Sequence, residues 1–240
     1  MKEQLIARWD TFLRNIDKRF EESLAQGEQA VLESLEENNY DYYTSFRTLM
    51  AIRSQIDESV IRKIDDTWRQ QVEPLMKADG DGYYWIDESH KAHRANDDMQ
   101  ERIALWLHIT EGKLSQKYYD HAIELINRDF FCTQCNAPLQ VKKDLFRAHY
   151  ITCNYCSAVN TFEPETKYAT IGWNVVDNLA ALYALPEYKA MLQARKNGGD
   201  AYAKAVRAYC EKYFDERIKL MPHTAETREQ DIEKKVNLTL

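Results

Sequence analysis

Glycine and proline are scarce, with 7 and 5 copies among 240 residues. Their scarcity tilts an otherwise ordinary composition, 30% charged and 44% hydrophobic, toward helix. Long apolar runs are also missing. None approaches the roughly 18 residues that a membrane span needs. The N-terminal stretch "MKEQLIARWD" puts charges where a signal peptide would carry its apolar core, so a cytoplasmic location is expected. A basic excess is lacking too. Net charge is −7, and residues 1–128 hold 17 basic against 25 acidic side chains. Nothing resembles the basic stripe of a general nucleic-acid binder. There is no glycine-rich phosphate loop, no serine-nucleophile elbow, no zinc-protease helix motif and no internal repeat.

What is present is mostly helical code. Leu5, Ile6, Trp9, Phe12, Leu13, Ile16 and Phe20 recur every three or four residues, as one face of an amphipathic helix does. That pattern extends toward Leu35, with Gly27 as its weak point, and "EENNY" reads as a turn. A second long run spans Tyr43 to Leu75, with Pro74 as a stop signal. "KADGDGYYWIDES" breaks the period, and Ser89 is placed to cap the next helix. That helix carries Met99, Ile103, Trp106, Leu114 and Tyr118, with a kink or turn expected at Gly112. After Pro164 the helical code resumes. Pro186 suits a first turn, Gly198 and Gly199 a stop, and Asp200 a cap for a helix carrying Val206, Tyr209, Cys210 and Tyr213. The polar tail after Pro222 reads as a docked helix or a frayed end.

Between Phe130 and about Tyr168 the code changes to short alternating stretches, "PLQV", "LFRAHYIT" and "AVNTF", which read as strands. Four of the five cysteines lie here, as Cys132-x2-Cys135 and Cys153-x2-Cys156, separated by 17 residues. Two residues between cysteines let a tight knuckle aim both sulfurs at one point. Two knuckles complete a tetrahedral shell around one metal ion. Directly after each second cysteine the chain must turn sharply, often at positive φ, which Asn136 tolerates well and Ser157 less well. The fifth, Cys210, lies in an apolar helical run and reads as a small buried side chain.

"CTQCNAPLQV" and "CNYCSAVNTFEP" resemble the two halves of a zinc ribbon over residues 130–164. The resemblance implies that Cys132, Cys135, Cys153 and Cys156 ligate one Zn2+ on a small three-stranded sheet. Ribbons often have glycine where Asn136 and Ser157 stand. An iron–sulfur cluster and redox dithiols are the competing uses of such pairs. Lys142, Lys143, Arg147 and His149 lie between the knuckles, where they either offset thiolate charge or form a solvated face. Four sulfurs leave the ion no open position, which points to a structural centre rather than hydrolysis.

Weaker signals lie beside this one. Placing Gly82 at the obligatory glycine of a calcium loop puts Asp79, Asp81 and Glu88 at ligand positions, but Lys77 at the first, so an acidic turn is the expectation. His90 and His93 share a helical face near Asp87, Glu88, Asp97 and Asp98, where a second metal site competes with a polar helix start. The aromatics of "NNYDYYTSF" and "DGYYWID" suit a core first and a partner surface second.

The expected fold class is therefore mainly α, a bundle of long helices with an inserted small β zinc ribbon. The expected segments are 1–128, 129–168 and 169–240. The ribbon is expected at the tip of a helical hairpin. The expected function is non-enzymatic: a scaffold or protein-interaction module for a partner the sequence does not identify, with a structural zinc and no membrane role. A homodimer through an uncovered helical stripe is expected as well. The alternatives are nucleic-acid binding through the ribbon, disfavoured by charge, and an enzyme centred on the Asp79–His93 region.

Overall fold

The structure is a computed structural model that describes every residue of the chain except Asp81 and Lys143. Among the described residues it is mainly α, with one two-stranded antiparallel sheet. The chain divides into two compact units, Met1–Thr110 and Glu111–Leu240, with the boundary inside one long helix. No described helix is long and apolar enough to cross a membrane.

The first unit begins with α1 (Lys2–Glu37), which runs through Gly27 without a break. A Cβ at Gly27 would lie 2.8 Å from Ile52 Cγ2 and 3.2 Å from Trp106 Cζ2. The expected weak point is thus a close crossing, where the missing side chain lets neighbours approach. One turn earlier, the buried Trp106 Nε1 donates to the Leu24 carbonyl at 2.9 Å. Asn39 and Tyr40, at φ 51 and 59, then reverse the chain as "EENNY" predicts. Asp41 caps α2 (Tyr42–Ile56) by accepting from the Thr44 amide at 3.2 Å.

The second predicted helix is nearly unbroken to Ala78, but two π-turns interrupt its α geometry. They are Asp57–Ile61 and Trp68–Val72, and they flank α3 (Arg62–Thr67) and precede α4 (Glu73–Ala78). A π-turn inserts a residue and shifts the register of everything after it. Leu75, expected on the apolar face, is therefore 55% exposed, and Met76 is fully buried in its place. Pro74 does not stop the helix. It falls in the first turn of α4, directly after the second π-turn, where a missing N–H costs little.

α5 (Tyr84–Asp129) starts earlier than expected, so Ser89 lies inside it and caps nothing. The loop before it is short and turns on Gly80 and Gly82, at φ +73 and +74. Trp9, Ile16, Phe20, Leu24, Val31 and Leu35 of α1 are all buried. Leu5, Ile6, Phe12 and Leu13, on the same stripe, are half-buried. Ion pairs reinforce the α1–α5 contact. Lys91 bridges Asp10 at 3.0 Å and Glu88 at 2.9 Å, and Arg102 reaches Asp17, Glu21 and Asp98 while lying over the Phe20 ring.

In the second unit the C-terminal part of α5 pairs antiparallel with α6 (Thr166–Tyr183). Gly112 does not end the helix; a Cβ there would sit 2.8 Å from Leu182 Cβ, so the glycine is a helix–helix crossing point. Beside it, Asn178 Nδ2 donates to Glu111 Oε1 at 3.0 Å and to Ser115 Oγ at 3.2 Å. Burial pushes the Glu111 carboxyl up, against the pull of that amide.

Pro186 opens α7 (Leu185–Arg195) as expected. Gly198, at φ +65, is the N-cap of α8 (Gly199–Leu220), so Asp200 sits in the first turn and favours the helix dipole instead of capping it. A 3-10 turn (Pro222–Thr227) leads into α9 (Arg228–Thr239). The tail is a docked helix. Ile232 and Val236 are buried with Val206, Tyr209, Cys210 and Tyr213. Cys210 is fully buried, and burial pushes its thiol up, as befits a small packed side chain.

Candidate metal centre

The inserted module lies between α5 and α6. Its sheet pairs β1 (His149–Thr152) with β2 (Val159–Phe162), His149 opposite Phe162 and Thr152 opposite Val159. The three-stranded sheet that the resemblance implied is reduced. Among the described residues the first knuckle contributes a single bridge, Phe131 to Pro138, and "PLQV" forms no strand. Leu139 and Val141 are buried instead, and the Val141 amide donates to Asn127 Oδ1 at 2.7 Å. "LFRAHYIT" is a strand only from His149 onward. Phe146 and Tyr150, four apart and so on one face of an alternating strand, part company: Phe146 is buried while Tyr150 is 77% exposed. The cause is tertiary. Phe146 packs onto the bare backbone at Gly172 of α6, where an added Cβ would meet its Cβ at 2.7 Å, and near Tyr119 of α5. The loop between the knuckles thereby pins the module to the helical hairpin.

The two knuckles are built alike. Cys132 N donates to Ala137 O at 2.8 Å, and Asn136 N to Cys132 O at 2.9 Å. In the second, Cys153 N donates to Ala158 O at 2.8 Å, and Ser157 N to Cys153 O at 2.9 Å. Asn136 and Ser157 both take positive φ, 59 and 61, at the two positions where the spacing demanded it. These turns bring the four sulfurs within 4.8 Å of one another. Cys132 and Cys156 approach to 3.6 Å, as do Cys135 and Cys153. A tetrahedron with metal–sulfur bonds of about 2.3 Å has edges of about 3.8 Å. The donor set therefore fits one metal ion.

The donors that reach these sulfurs are amides. Tyr155 N lies 3.4 Å from Cys153 Sγ, and Asn160 Nδ2 lies 3.5 Å from Cys132 Sγ. Backbone amides of Cys135 and Gln134 pull the Cys132 thiol down to about 6. Those of Cys156 and Tyr155 pull Cys153 down. Cys156 goes the other way. The Ala158 amide lowers it, but the neighbouring thiols outweigh that and push it up to about 12. Four crowded thiols hold their last protons tightly until a cation replaces them.

Of the cations between the knuckles, Lys142 and Arg147 are exposed, and Lys143 lies outside the described residues. His149 faces Phe162, with ring centroids 5.3 Å apart, and its Nδ1 meets the Arg147 carbonyl at 2.9 Å. The sequence pattern does not single out Asn160, although asparagine is uncommon in strands and its place in "AVNTF" is a signal.

The other sequence-derived candidates do not converge in this way. His90 and His93 are exposed on α5. Glu88 is buried on the same helix and paired with Lys91. Asp79 accepts from the Tyr84 hydroxyl at 3.2 Å, and Asp81 lies outside the described residues. Among the described residues the four cysteines are the one group of His, Cys, Asp or Glu gathered closely enough to hold a metal ion.

Fold and site define a mainly α protein carrying a small, four-cysteine, metal-competent β module. In comparisons with known proteins, no family model, no curated protein and no solved structure matches the chain.

Proposed function

We propose that the four cysteines hold one structural Zn2+ and that the chain is a non-enzymatic protein-interaction module. The compact sulfur group supports a single ion over a cluster, whose own atoms would spread the ligands further apart. Zinc suits four thiolates in a tetrahedron, and a shell already filled by four protein ligands leaves no site for water or substrate. The observation that carries the interaction reading is the module's surface. Tyr150, Tyr155 and Val159 are 77%, 79% and 64% exposed. Thr152 and Tyr155 also border a cleft of about 430 Å³ that reaches Pro138 and Gln140. Exposed aromatics held rigidly on a metal-tied hairpin favour partner contacts over solvation.

Metal analysis and affinity purification test the two halves. One zinc per chain is expected. The proteins that co-purify with wild type should be lost with both Cys132→Ser and Tyr155→Ala. Iron with visible absorbance would overturn the metal assignment. Retained partners in both variants, or steeply salt-dependent binding to DNA or RNA, would overturn the interaction reading.

A further inference from the structure

Asn160 is the one polar side chain of β2 that faces inward, 3% exposed. It stands opposite Ile151 and next to the exposed Val159 and Thr161. Its carbonyl oxygen accepts twice from the first knuckle, from Thr133 N at 2.9 Å and Thr133 Oγ1 at 3.0 Å. Its amide nitrogen donates to the Ala158 carbonyl at 3.1 Å, in the second knuckle, and lies 3.5 Å from Cys132 Sγ. One buried amide thus touches both knuckles and a ligand sulfur at once.

We propose that Asn160 is a positioning residue of the metal centre that acts on Cys132 directly, as a hydrogen-bond donor to its thiolate. This rests on the metal reading above. Two physical effects are combined. The Thr133 and Ala158 contacts hold the knuckles at the spacing that the ion requires. The N–H aimed at Cys132 withdraws charge from one of four thiolates around a divalent ion, which offsets the excess negative charge of the centre. The amide is suited to both tasks because it carries acceptor and donor on one rigid plane. Leucine would fill the volume and do neither, and aspartate would keep the acceptor while placing a carboxylate against the thiolate.

The test uses the full chain loaded with cobalt, then with zinc. Asn160→Asp should weaken zinc binding by roughly 10–100-fold in chelator competition, the usual scale for outer-shell partners of metal ligands. It should also shift the sulfur-to-cobalt charge-transfer band to longer wavelength, because an unbonded sulfur is the better electron donor. Thr133→Val removes one contact of the Asn160 carbonyl and leaves the sulfur contact intact, so its band should stay where wild type has it. A wild-type position for the band in Asn160→Asp, or an equal shift in Thr133→Val, overturns the donor role. Should Asn160→Asp fail to fold, wild-type protein loaded with NMR-active cadmium still answers. A through-bond coupling between the Asn160 side-chain amide proton and the metal is expected, and its absence overturns the proposal. Wild type that takes up none of these ions refutes the metal reading itself, a result distinct from bound metal without the coupling.

Discussion

Replacing Gly172 by alanine tests whether the loop between the knuckles truly pins the module to α6. Gly172 is buried in the middle of a helix, where alanine is intrinsically better by about 1 kcal/mol. Judged on propensity alone, the substitution stabilises. The packing argues otherwise. The new Cβ would meet Phe146 Cβ at 2.7 Å, Cγ at 2.8 Å and Cδ1 at 2.9 Å. These atoms are the root of the ring, not the far end of a flexible side chain, so the loop itself must retreat. Phe146 is 4% exposed, and overpacking of this kind costs about 1–3 kcal/mol. The two effects together leave a destabilisation of about 1 kcal/mol, at most about 2. Melting should fall by about 2–4 °C per kcal/mol in a chain of this size. The decisive form is a double-mutant cycle with Phe146→Ala. With the ring gone, two of the three short contacts vanish and the loop is free to move. There Gly172→Ala should be neutral or stabilising, by up to about 1 kcal/mol. Equal effects of Gly172→Ala in both backgrounds would refute the claim that Phe146 seats on this glycine.

Cys153→Ser should abolish metal binding and disorder residues 130–164 while far-UV circular dichroism keeps most of its helical signal. Zinc is worth about 10–16 kcal/mol to small fingers, comparable with the about 5–15 kcal/mol of a whole domain, whereas the helices have apolar faces of their own. Glu111→Gln should stabilise the second unit at neutral pH. The folded carboxyl is raised by burial, so the folded state binds the extra proton and stability falls as pH rises above the unfolded value of 4.5; the advantage of glutamine should vanish below that pH in urea titrations. Trp106→Phe removes the donor to the Leu24 carbonyl and should cost about 0.5–1.5 kcal/mol, plus any packing loss, read from the same titrations.

The sequence by itself determined the elements and the grouping of the four cysteines. Apolar residues three and four apart follow from the helical repeat, and a C-x2-C knuckle closes within its own few residues. The long helices, the two knuckles and the positive φ of Asn136 and Ser157 were therefore legible without any partner segment. What a residue meets across space is not written in its neighbours. Gly27 and Gly112 read as weak points in a helix and are crossings against Trp106 and Leu182. Phe146 read as one of a strand's alternating side chains, and a gap at Gly172, 26 positions along the chain, took it out of the strand. The π-turns moved Leu75 out and Met76 in, because the face that α5 and α1 must cover decides which register is retained. Asn160 looked like a polar residue in a small strand, and only the fold brings Thr133, Ala158 and Cys132 around its amide. Local periodicity and loop closure act over a few residues and are encoded there. Packing and hydrogen bonding act over ångströms between segments whose meeting the whole chain must first arrange.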